Sequence, residues 1–575
     1  MSGSFLNGAR TSRRGFLRGG LGLVSASAFG GLAATTLAGC GSTTADGTAT
    51  VNSTSVLPNF MPFTGVTPDI AATSTGVPAV FYSYPANPVA AYATPPLSGE
   101  TISVITNIFN SVPPALGSNT AWQAVQKALG ATVDFTMVGS DDYSTKLNTT
   151  IASGNLPDVM LYTGYSNPTE AAPTDVASFL AAECADLTPY LSGDKVKAYP
   201  HLAAIPAIAW EQCVFAGKLS MLPIPRNVTT GSGMYRKDLF AQVGISDLSE
   251  ISSSDDFLTA CKALTNPAKN QYALTAYTGY PYAAGIIQQS FGVPCEWRAE
   301  GSGKLTSMYE TDEFAASVEF LAKLYAAGVY VPGCEGFTKN QMVDSFESGK
   351  AAYCPDSVPS FQKYWPAMAA INAKWSIDLA APFTASAQYK PNAWQDNILF
   401  ASSMIKKGSQ SRIETILKFA DFLASPFGTK EYLLLNYGVE GTDYAMDKGS
   451  PILNNTGTNE TQVPWKYTVA PSQAIFIPGF NDCATAQHAA MAKLIPMAVG
   501  NPCSNLNSPA FNEKGSELQT QFTATVNEII AGKQPVSALA GAVKAWQSGG
   551  GNTIRSQFEQ ALAASKGGST ASAAS

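Results

Sequence analysis

Residues 141–162, DDYSTKLNTTIASGNLPDVMLY, contain the local signals that decide the fold of this chain. The first part predicts a helix that starts near Asp141, where a carboxylate suits the positive end of the helix dipole, and that ends at Gly154. After the turn Leu-Pro-Asp, the run DVMLY is apolar on both faces, which is typical of a strand covered by helices. The stretch therefore predicts a helix-to-strand unit of an α/β sheet.

The residues before this stretch show the same alternation. TISVITNIF (101–109) predicts a strand, NTAWQAVQKAL (119–129) predicts a helix that ends at Gly130, and TVDFTMV (132–138) predicts a second strand. In parallel sheets of this kind, ligands bind beyond the carboxyl ends of the strands. We therefore expect a binding edge at residues 107–110 and 162–165.

The first forty residues have the composition of an export signal. Arg13 and Arg14, followed by Phe16 and Leu17, resemble a twin-arginine motif. The apolar region that follows is too short and too rich in Gly, Ala and Ser for a transmembrane span. Leu-Ala-Gly-Cys at 37–40 resembles a lipobox, in which Cys40 is acylated and becomes the new N-terminus. The alternatives are an ordinary cleaved signal and an N-terminal anchor.

Charge excludes one class of partner. Without residues 1–39, which hold four arginines and no acids, 31 basic residues face 42 acidic ones, for a net charge of −11. Nucleic-acid binding needs basic patches, so we expect no nucleic-acid partner. Charged residues are only 13% of the chain, about half of the ~25% of an average domain. The surface is therefore expected to be polar and mostly uncharged.

Eight cysteines remain after Cys40, and none of them forms a C-x-x-C pair, which argues against a zinc or redox site. An even number in an exported protein allows up to four disulfides. We expect at least two, with Cys483–Cys503 as one candidate pair; free buried thiols are the alternative. No calcium-loop motif is present, and we expect neither a metal nor a cofactor.

Several stretches further along resemble one known family. They are GKLSMLPIPR, GMYRKDLFAQVGI, GKLTSMYETDEFAASVEFLAKLYAAGVY, SFESGKAAYC and VNEIIAGKQPVSA, and they occur in the family's order. Together with residues 141–162 and the lipobox, they resemble the lipid-anchored extracellular solute-binding proteins of bacterial ABC importers, in the branch associated with carbohydrates. The resemblance implies an α/β, two-lobed periplasmic-binding-protein-like fold of type II. Each lobe would have a mixed central sheet with flanking helices, and the ligand cleft would lie between the lobes.

The resemblance also implies a division of the chain. The expected parts are a signal peptide at 1–39, a lipid-anchored tether and extended arm at 40–98, lobe 1 at 99–228 plus 384–424, lobe 2 at 229–383 plus 425–565, and a disordered tail at 566–575. The crossings near 229, 384 and 425 would be hinges that close around the solute. The expected protein is a monomer on the outer face of the cell membrane, and its partners are a carbohydrate and the permease subunits of the importer.

A sugar ligand needs planar hydrogen-bonding groups for its hydroxyls and aromatic rings for its C–H faces. Tyr162 and Tyr165 are the first candidates because they follow a strand at the expected edge. The alternative for these tyrosines is packing under the cleft rim. For the candidates that follow, it is a turn for Asn110, an interlobe ion pair for Arg226, a turn or helix cap for Asp356, and lobe, core or loop packing for the rest. The remaining candidates are Asn110 after the first strand, Arg226 at the first crossing, Tyr280 and Tyr282, Asp356 after AAYC, Trp394 with Asp396, and Tyr437 with Glu440.

Two other functions remain open at this point. A secreted glycoside hydrolase would need two facing carboxylates, which 42 acidic residues cannot exclude. However, Asp141 and Asp142 are explained by the start of a helix, and no motif of a serine hydrolase, zinc protease or P-loop enzyme occurs. We therefore expect no catalytic residue. A binding protein for a peptide or another non-sugar solute is the second alternative.

Overall fold

The computed structural model describes residues 56–109, 111–164, 173, 176–226, 233–395, 398–504, 506 and 508–571. Its strands are β1 Val80–Phe81, β2 Thr101–Ile108, β3 Thr132–Gly139, β4 Val159–Tyr162, β5 Val214–Phe215, β6 Lys218–Leu219, β7 Met221–Pro225, β8 Met234–Arg236, β9 Tyr272–Leu274, β10 Trp297–Ala299, β11 Leu305–Ser307, β12 Ala351–Cys354, β13 Ile377–Leu379, β14 Ala393–Trp394, β15 Leu399–Ile405, β16 Tyr444–Asp447, β17 Ser450–Leu453, β18 Ile475–Phe476 and β19 Ala498–Val499.

The helices connect and cover these strands. They are α1 Thr120–Leu129, α2 Ser140–Ser153, α3 Val176–Glu183, α4 Thr188–Leu191, α5 Pro200–Ala203, α6 Ala207–Glu211, α7 Lys237–Gln242, α8 Ser254–Leu264, α9 Ala284–Ser290, α10 Asp312–Ala326, α11 Lys339–Glu347, α12 Phe361–Ile371, α13 Gln410–Leu423, α14 Lys430–Tyr437, α15 Asn455–Glu460, α16 Asn481–Leu494, α17 Pro509–Ile530, α18 Ala538–Trp546 and α19 Asn552–Ala571.

Two mixed sheets organise the molecule. The first has five strands in the order β3-β2-β4-β15-β7, in which β2, β3 and β4 are parallel and β15 runs antiparallel to both of its neighbours. The second has four strands in the order β13-β8-β12-β9, with only β9 and β12 parallel. This is the α/β architecture with mixed sheets that the sequence predicts.

The stretch 141–162 folds as its sequence predicts. Helix α2 ends at Gly154, which has a φ of +73°. This left-handed conformation is the usual stop of a helix and suits glycine, which has no side chain to clash. All four residues of β4 are buried, because β4 lies between β2 and β15 in the middle of the sheet.

Each sheet has its own apolar core. The first core surrounds the first sheet and includes Leu147, Met160 and Leu222. The second sheet contributes Tyr235 and Tyr353 to one cluster, and it contributes Met234 and Cys354 to another. Neighbouring residues of a strand point to opposite faces, so these two clusters cover the two faces of the second sheet.

The predicted lobe boundaries remain a prediction, but the packing of one segment differs from them. Residues 425–565 were expected with lobe 2, whereas Leu435, Trp465 and Ala470 pack in the first core. The chain reaches the clusters of the second sheet at Ile475. An apolar helix pattern does not specify which of two sheets the helix covers, so the sequence alone could not assign these residues to a core.

Residues 56–98, here called the N-terminal arm, run along the body. Strand β1 pairs in parallel with β18, and the Tyr84 hydroxyl donates to the carbonyl of Thr429 at 2.5 Å. Tyr84 is only 2% exposed. The arm buries large side chains such as Tyr84 against the body, which explains why it contains more aromatic residues than a flexible linker.

The C-terminal segment differs from the disordered tail that the sequence predicts. Helix α19 runs to Ala571 and therefore includes the first six residues of the expected disordered tail at 566–575. The alanine-rich run before residue 566 favours helix and lets it propagate. Residues 572–575 lie outside the described part.

The prediction of at least two disulfides is wrong, because none of the eight cysteines after Cys40 forms a disulfide. Cys483 and Cys503, the candidate pair, belong to different apolar clusters. Seven of the eight are buried, and burial raises the pKa of each of these thiols. They act as small apolar side chains within the cores.

In the described part of the chain, no helix is long and apolar enough to cross a membrane.

Candidate functional site

The carboxyl edge of the first sheet gathers side chains from distant parts of the sequence. Strands β2, β4 and β7 all point toward this edge, since β15 runs antiparallel to β4 and to β7. The start of β15 therefore lies beside the ends of the other three strands. Phe109, Tyr162 and Arg226 stand at those ends, and Phe400 is the second residue of β15.

Three aromatic rings form a cluster at this edge, and we call Phe109, Phe400 and Tyr467 the edge rings. Their centroids are 5.6 Å apart for Phe109–Phe400, 5.2 Å for Phe109–Tyr467 and 5.5 Å for Phe400–Tyr467. Phe109 is 49% exposed. Exposed aromatic surface at the ligand-binding edge of an α/β sheet is suited to stacking against an apolar ligand face.

Two hydrogen bonds fix Tyr467 next to the sheet, although it comes from a short 3-10 turn far along the chain, Trp465–Tyr467. The Thr106 hydroxyl donates to the Tyr467 carbonyl at 2.7 Å, and the Ser403 hydroxyl donates to the Thr468 carbonyl at 2.5 Å. Thr106 lies in β2 and Ser403 in β15, so two strands of the first sheet position this turn.

Cations flank the edge rings. The Arg226 guanidinium carbon lies 5.5 Å from the centroid of Phe400, and the Arg226 backbone N–H donates to the Ile398 carbonyl at 2.6 Å. On the other side, the Lys466 ammonium lies 5.2 Å from the centroid of Tyr467. Burial lowers the pKa of Lys466, and the nearby charge of Lys363 lowers it further.

Tyr162 lies at the predicted edge but is buried. It is 8% exposed, and burial raises the pKa of its hydroxyl to about 12. A side chain on Gly164 would overlap the Tyr162 ring, so the chain folds back closely over this tyrosine. Three other candidates, Asn110, Tyr165 and Asp396, lie outside the described residues.

At the second sheet, Asp356 follows β12 as expected, but its carboxylate is occupied by protein groups. It forms an ion pair with Lys339 at 2.6 Å and accepts hydrogen bonds from the Tyr364 hydroxyl at 2.7 Å and the Ser360 hydroxyl at 3.0 Å. Asp356 is 7% exposed. The geometry gives Asp356 the role of anchoring the loop at this edge.

Tyr280 lies near the same edge, and its ring is exposed to solvent. It is 48% exposed, and its centroid is 5.6 Å from that of Tyr277. The Lys339 ammonium lies 5.0 Å from the centroid of Tyr277. By contrast, Tyr282 is 4% exposed, and its carbonyl accepts a hydrogen bond from Tyr330. Of the two predicted tyrosines, only Tyr280 presents its ring to solvent.

Trp394 lies in β14, which pairs with β19. Its indole N–H donates to the Val293 carbonyl at 2.8 Å, and its backbone N–H donates to the Gln289 side chain at 3.0 Å. The ring packs, partly buried, against the cluster that covers one face of the second sheet. These contacts fix the orientation of the indole.

Tyr437 and Glu440 lie away from both edges in their described contacts. Tyr437 packs on the cluster formed by the N-terminal arm and Phe427, and its centroid is 6.3 Å from that of Tyr444. Glu440 is exposed and pairs through its backbone with Tyr444. The structure therefore brings Arg226 and Tyr162 to one edge and Tyr280 and Asp356 to the other. It places Tyr437 against the N-terminal arm.

Sequence reasoning missed the edge rings and Lys466. Phe109 ends the quoted strand TISVITNIF next to the candidate Asn110, so its position was a usable signal. Phe400 and Tyr467 had no local signal, because each becomes part of the edge only when distant segments pack together. Among the described residues, no group of three or more His, Cys, Asp or Glu side chains could hold a metal ion.

Comparison with known proteins identifies the class. The profile of the bacterial extracellular solute-binding protein family matches residues 115–430, more than half of the chain, and the chain belongs to this family. The family consists of binding proteins, not enzymes, so the predicted family and non-enzymatic role are confirmed.

Two curated relatives from Bacillus subtilis (strain 168) match along most of the chain. The polygalacturonan/rhamnogalacturonan-binding protein YtcQ is 23% identical over 491 residues, which cover 82% of this chain and 93% of YtcQ. Lipoprotein LipO is 21% identical over 492 residues, with the same coverage of 82% and 93%.

A solved structure shows the same fold. The N-glycan transport solute-binding protein NgtS of Streptococcus pneumoniae superposes with a TM-score of 0.58 at 17% identity, covering 80% of this chain and 99% of NgtS. The predicted two-lobed solute-binding fold is therefore confirmed.

Proposed function

We propose that this chain captures a sugar or oligosaccharide between two lobes and delivers it to the permease of an ABC importer. The observation that carries the proposal is the group of edge rings at the carboxyl edge of the first sheet. Sugar rings have apolar C–H faces that stack on aromatic side chains, and their hydroxyls require the polar groups around them. The name of the relative YtcQ, a polygalacturonan/rhamnogalacturonan-binding protein, supports a carbohydrate ligand.

In this proposal the edge rings and Arg226 provide the first half of the site, and Tyr280 near the second sheet contributes to the other half. Hinge closure would bring the two edges onto opposite sides of the solute and exclude water from the contacts. Asn110, Tyr165, Asp396 and Trp394 remain candidates for ligand contacts. Tyr162, Asp356 and Tyr437 are weaker candidates, because protein groups cover or occupy them. Glu440 is weaker because its one described contact, a backbone bridge to Tyr444, lies away from both edges.

The location follows from the N-terminal signals. We infer that the twin arginines Arg13 and Arg14 direct export and that Cys40 is acylated, so that a lipid holds the protein on the outer face of the membrane. The name of the relative LipO, a lipoprotein, supports the anchor. Residues 40–55 would then separate the lipid from the arm, and a monomer on this tether can reach a permease in the same membrane.

The experiment is a binding titration with a matched pair of variants. The purified full-length chain is titrated with a panel of oligosaccharides and peptides in a calorimeter, together with Phe109→Ala and Phe60→Ala. Both phenylalanines are about half exposed, but Phe60 lies in the N-terminal arm. Loss of one stacking ring corresponds to about 1.5 kcal/mol, so Phe109→Ala should weaken sugar binding about tenfold.

Phe60→Ala should bind the sugar like the unchanged chain. Binding of peptides with no response to any oligosaccharide would overturn the proposed ligand class. Equal affinities of the two variants for a bound sugar would overturn the proposed location of the site.

A further inference from the structure

The turn Pro281–Ala283, here called the strained turn, follows the exposed Tyr280 near the second sheet. Within it, Tyr282 has a φ of 56° and Ala283 a φ of 53°. Both values lie in the left-handed region, which crowds the β-carbon of every residue except glycine and costs free energy at each position. Residues in this conformation persist only where the surrounding structure holds them, and they cluster at ligand sites. Contacts around the strained turn must therefore offset the cost.

A buried hydrogen bond from Tyr330 holds the middle of the strained turn. The Tyr330 hydroxyl donates to the Tyr282 carbonyl at 2.9 Å, and Tyr330 is 5% exposed. The Tyr282 ring stands edge-on to the rings of Tyr325 and Tyr330, at centroid distances of 5.4 and 6.2 Å. Without the hydroxyl, the carbonyl of a buried residue would lose its partner, which costs free energy. The bond from Tyr330 therefore stabilises the strained conformation.

Tyr330 is itself fixed to the second sheet through its neighbours in sequence. The Leu274 N–H donates to the Val329 carbonyl at 3.1 Å, and the Val331 N–H donates to the Leu274 carbonyl at 2.8 Å. Leu274 is the last residue of β9, so the backbone around Tyr330 pairs beside the edge of this sheet. The second sheet is therefore connected to the strained turn through the Tyr330 side chain.

The backbone of Tyr280 is held on both sides. Its N–H donates to the Tyr277 carbonyl at 2.9 Å, and its carbonyl accepts a hydrogen bond from the Ala283 N–H at 3.3 Å. A β-carbon on Gly279 would lie 2.5 Å from the Tyr277 ring, so the chain passes closely over this ring just before Tyr280. The direction of the exposed Tyr280 ring therefore depends on Tyr277 before it and on the strained turn after it.

We propose that Tyr330 is a positioning residue of the sugar site: through the Tyr282 carbonyl, it keeps the strained turn in the conformation that presents the Tyr280 ring to the solute. The inference rests on the proposed function and adds a residue that does not itself touch the ligand. Because the turn is fixed before binding, the sugar does not have to order Tyr280, and less binding free energy is lost. Without the bond, part of the population relaxes to ordinary backbone angles, and the apparent affinity falls with the fraction that remains competent to bind.

The test is a double-mutant cycle measured by calorimetric titration. The full-length chain is titrated with trigalacturonate, maltotriose and chitotriose, and the sugar that binds most tightly is then used for all variants. The variants are Tyr280→Ala, Tyr330→Phe, the double variant and the control Tyr84→Phe. Tyr84 is a matched control, because it is also a buried tyrosine whose hydroxyl donates to a backbone carbonyl, but it lies in the N-terminal arm. The thermal midpoint of each variant is measured beside its affinity.

Tyr280→Ala should weaken sugar binding about tenfold through the loss of one stacking ring. Tyr330→Phe should weaken it about three- to fivefold, because the net contribution of one hydrogen bond limits the shift in the population of the strained turn. Since Tyr330 acts through Tyr280, the double variant should bind no more weakly than Tyr280→Ala alone. Tyr84→Phe should lower the thermal midpoint about as much as Tyr330→Phe does and leave the affinity unchanged.

An unchanged affinity of Tyr330→Phe would overturn the inference. Additive losses in the double variant, or an equal loss of affinity in Tyr84→Phe, would overturn it as well, because the effect would then not act through Tyr280. If Tyr280→Ala bound the sugar like the unchanged chain, the inference would fail while sugar capture at the edge rings would stand. Failure of every sugar to bind would overturn the proposed function and, with it, the inference.

Discussion

Asp158, in the stretch that decides the fold, offers the sharpest test of how the first sheet is held together. Its carboxylate accepts hydrogen bonds from the backbone N–H and the hydroxyl of Ser103, both at 2.8 Å. Arg412 on α13 donates two more, from Nε at 3.1 Å and from a terminal nitrogen at 2.7 Å. One carboxylate therefore ties together β2, the start of β4 and α13.

The change Asp158→Asn removes the charge and one acceptor while keeping the shape. A hydrogen bond to a charged group contributes about 1.5–3 kcal/mol. Partial exposure, 19% for the Asp158 side chain and 32% for Arg412, reduces this value through solvent screening. Two bonds from Arg412 would together contribute about 3–6 kcal/mol, and after this reduction we expect a loss of about 2–3 kcal/mol. With an unfolding entropy of about 2.1 cal/mol/K per residue, 575 residues give about 1.2 kcal/mol/K, so the thermal midpoint should fall by about 2 °C.

The pH dependence gives an independent check. Burial raises the pKa of Asp158, but the hydrogen bonds from Arg412 and Ser103 outweigh burial and hold it below its ordinary value. A carboxylate with a lowered pKa in the folded state stabilises above its unfolded pKa, about 3.9, and loses this contribution as the pH falls through the folded value. The gap between the unchanged chain and Asp158→Asn should therefore be constant near neutral pH and close in acid.

The assay is scanning calorimetry at neutral and acidic pH, with Glu319→Gln as the control. Glu319 pairs with Lys323 one turn away on α10, and both side chains are more than half exposed. Its loss should leave the midpoint unchanged. A midpoint for Asp158→Asn equal to that of the control, or a gap that widens in acid, would refute the reasoning.

Two further predictions concern buried polar groups. His201 is 6% exposed; burial lowers its pKa, but the contacts with Asp421 outweigh burial, so that the folded pKa lies above the ordinary value. Its stabilisation is therefore present below about pH 6.5 and is lost as the pH rises through the folded pKa. As the pH rises through this range, the thermal midpoint of the unchanged chain should fall relative to that of His201→Gln. Parallel plots of midpoint against pH for the two proteins would contradict this. For the cysteines, alkylation in denaturant without reductant should modify all eight after Cys40, as counted by mass spectrometry. In the native protein, half-buried Cys295 should react first, and any disulfide-linked peptide would contradict the prediction.

Local patterns in the sequence predicted the three parallel strands of the first sheet and the two helices between them. The predicted strand at 101–109 is β2 Thr101–Ile108, the predicted helix at 119–129 is α1 Thr120–Leu129, and the stretch 141–162 forms α2 and β4. These elements could be predicted because the spacing of apolar residues and the stop at Gly154 act over a few residues.

Only the tertiary structure decided how the candidate site is assembled. Phe109, Phe400 and Tyr467 are in contact because two strands and a distant turn pack at one sheet edge. No local sequence pattern near any of the three predicts this contact. Packing also placed Leu435, Trp465 and Ala470 on the first core and separated Cys483 from Cys503. The sequence by itself thus determined β2, β3, β4, α1, α2 and the class of fold, because local periodicity specifies which face of an element is apolar. Which segments share a core and which rings face a ligand depends on long-range pairing, which is fixed only when the whole chain packs.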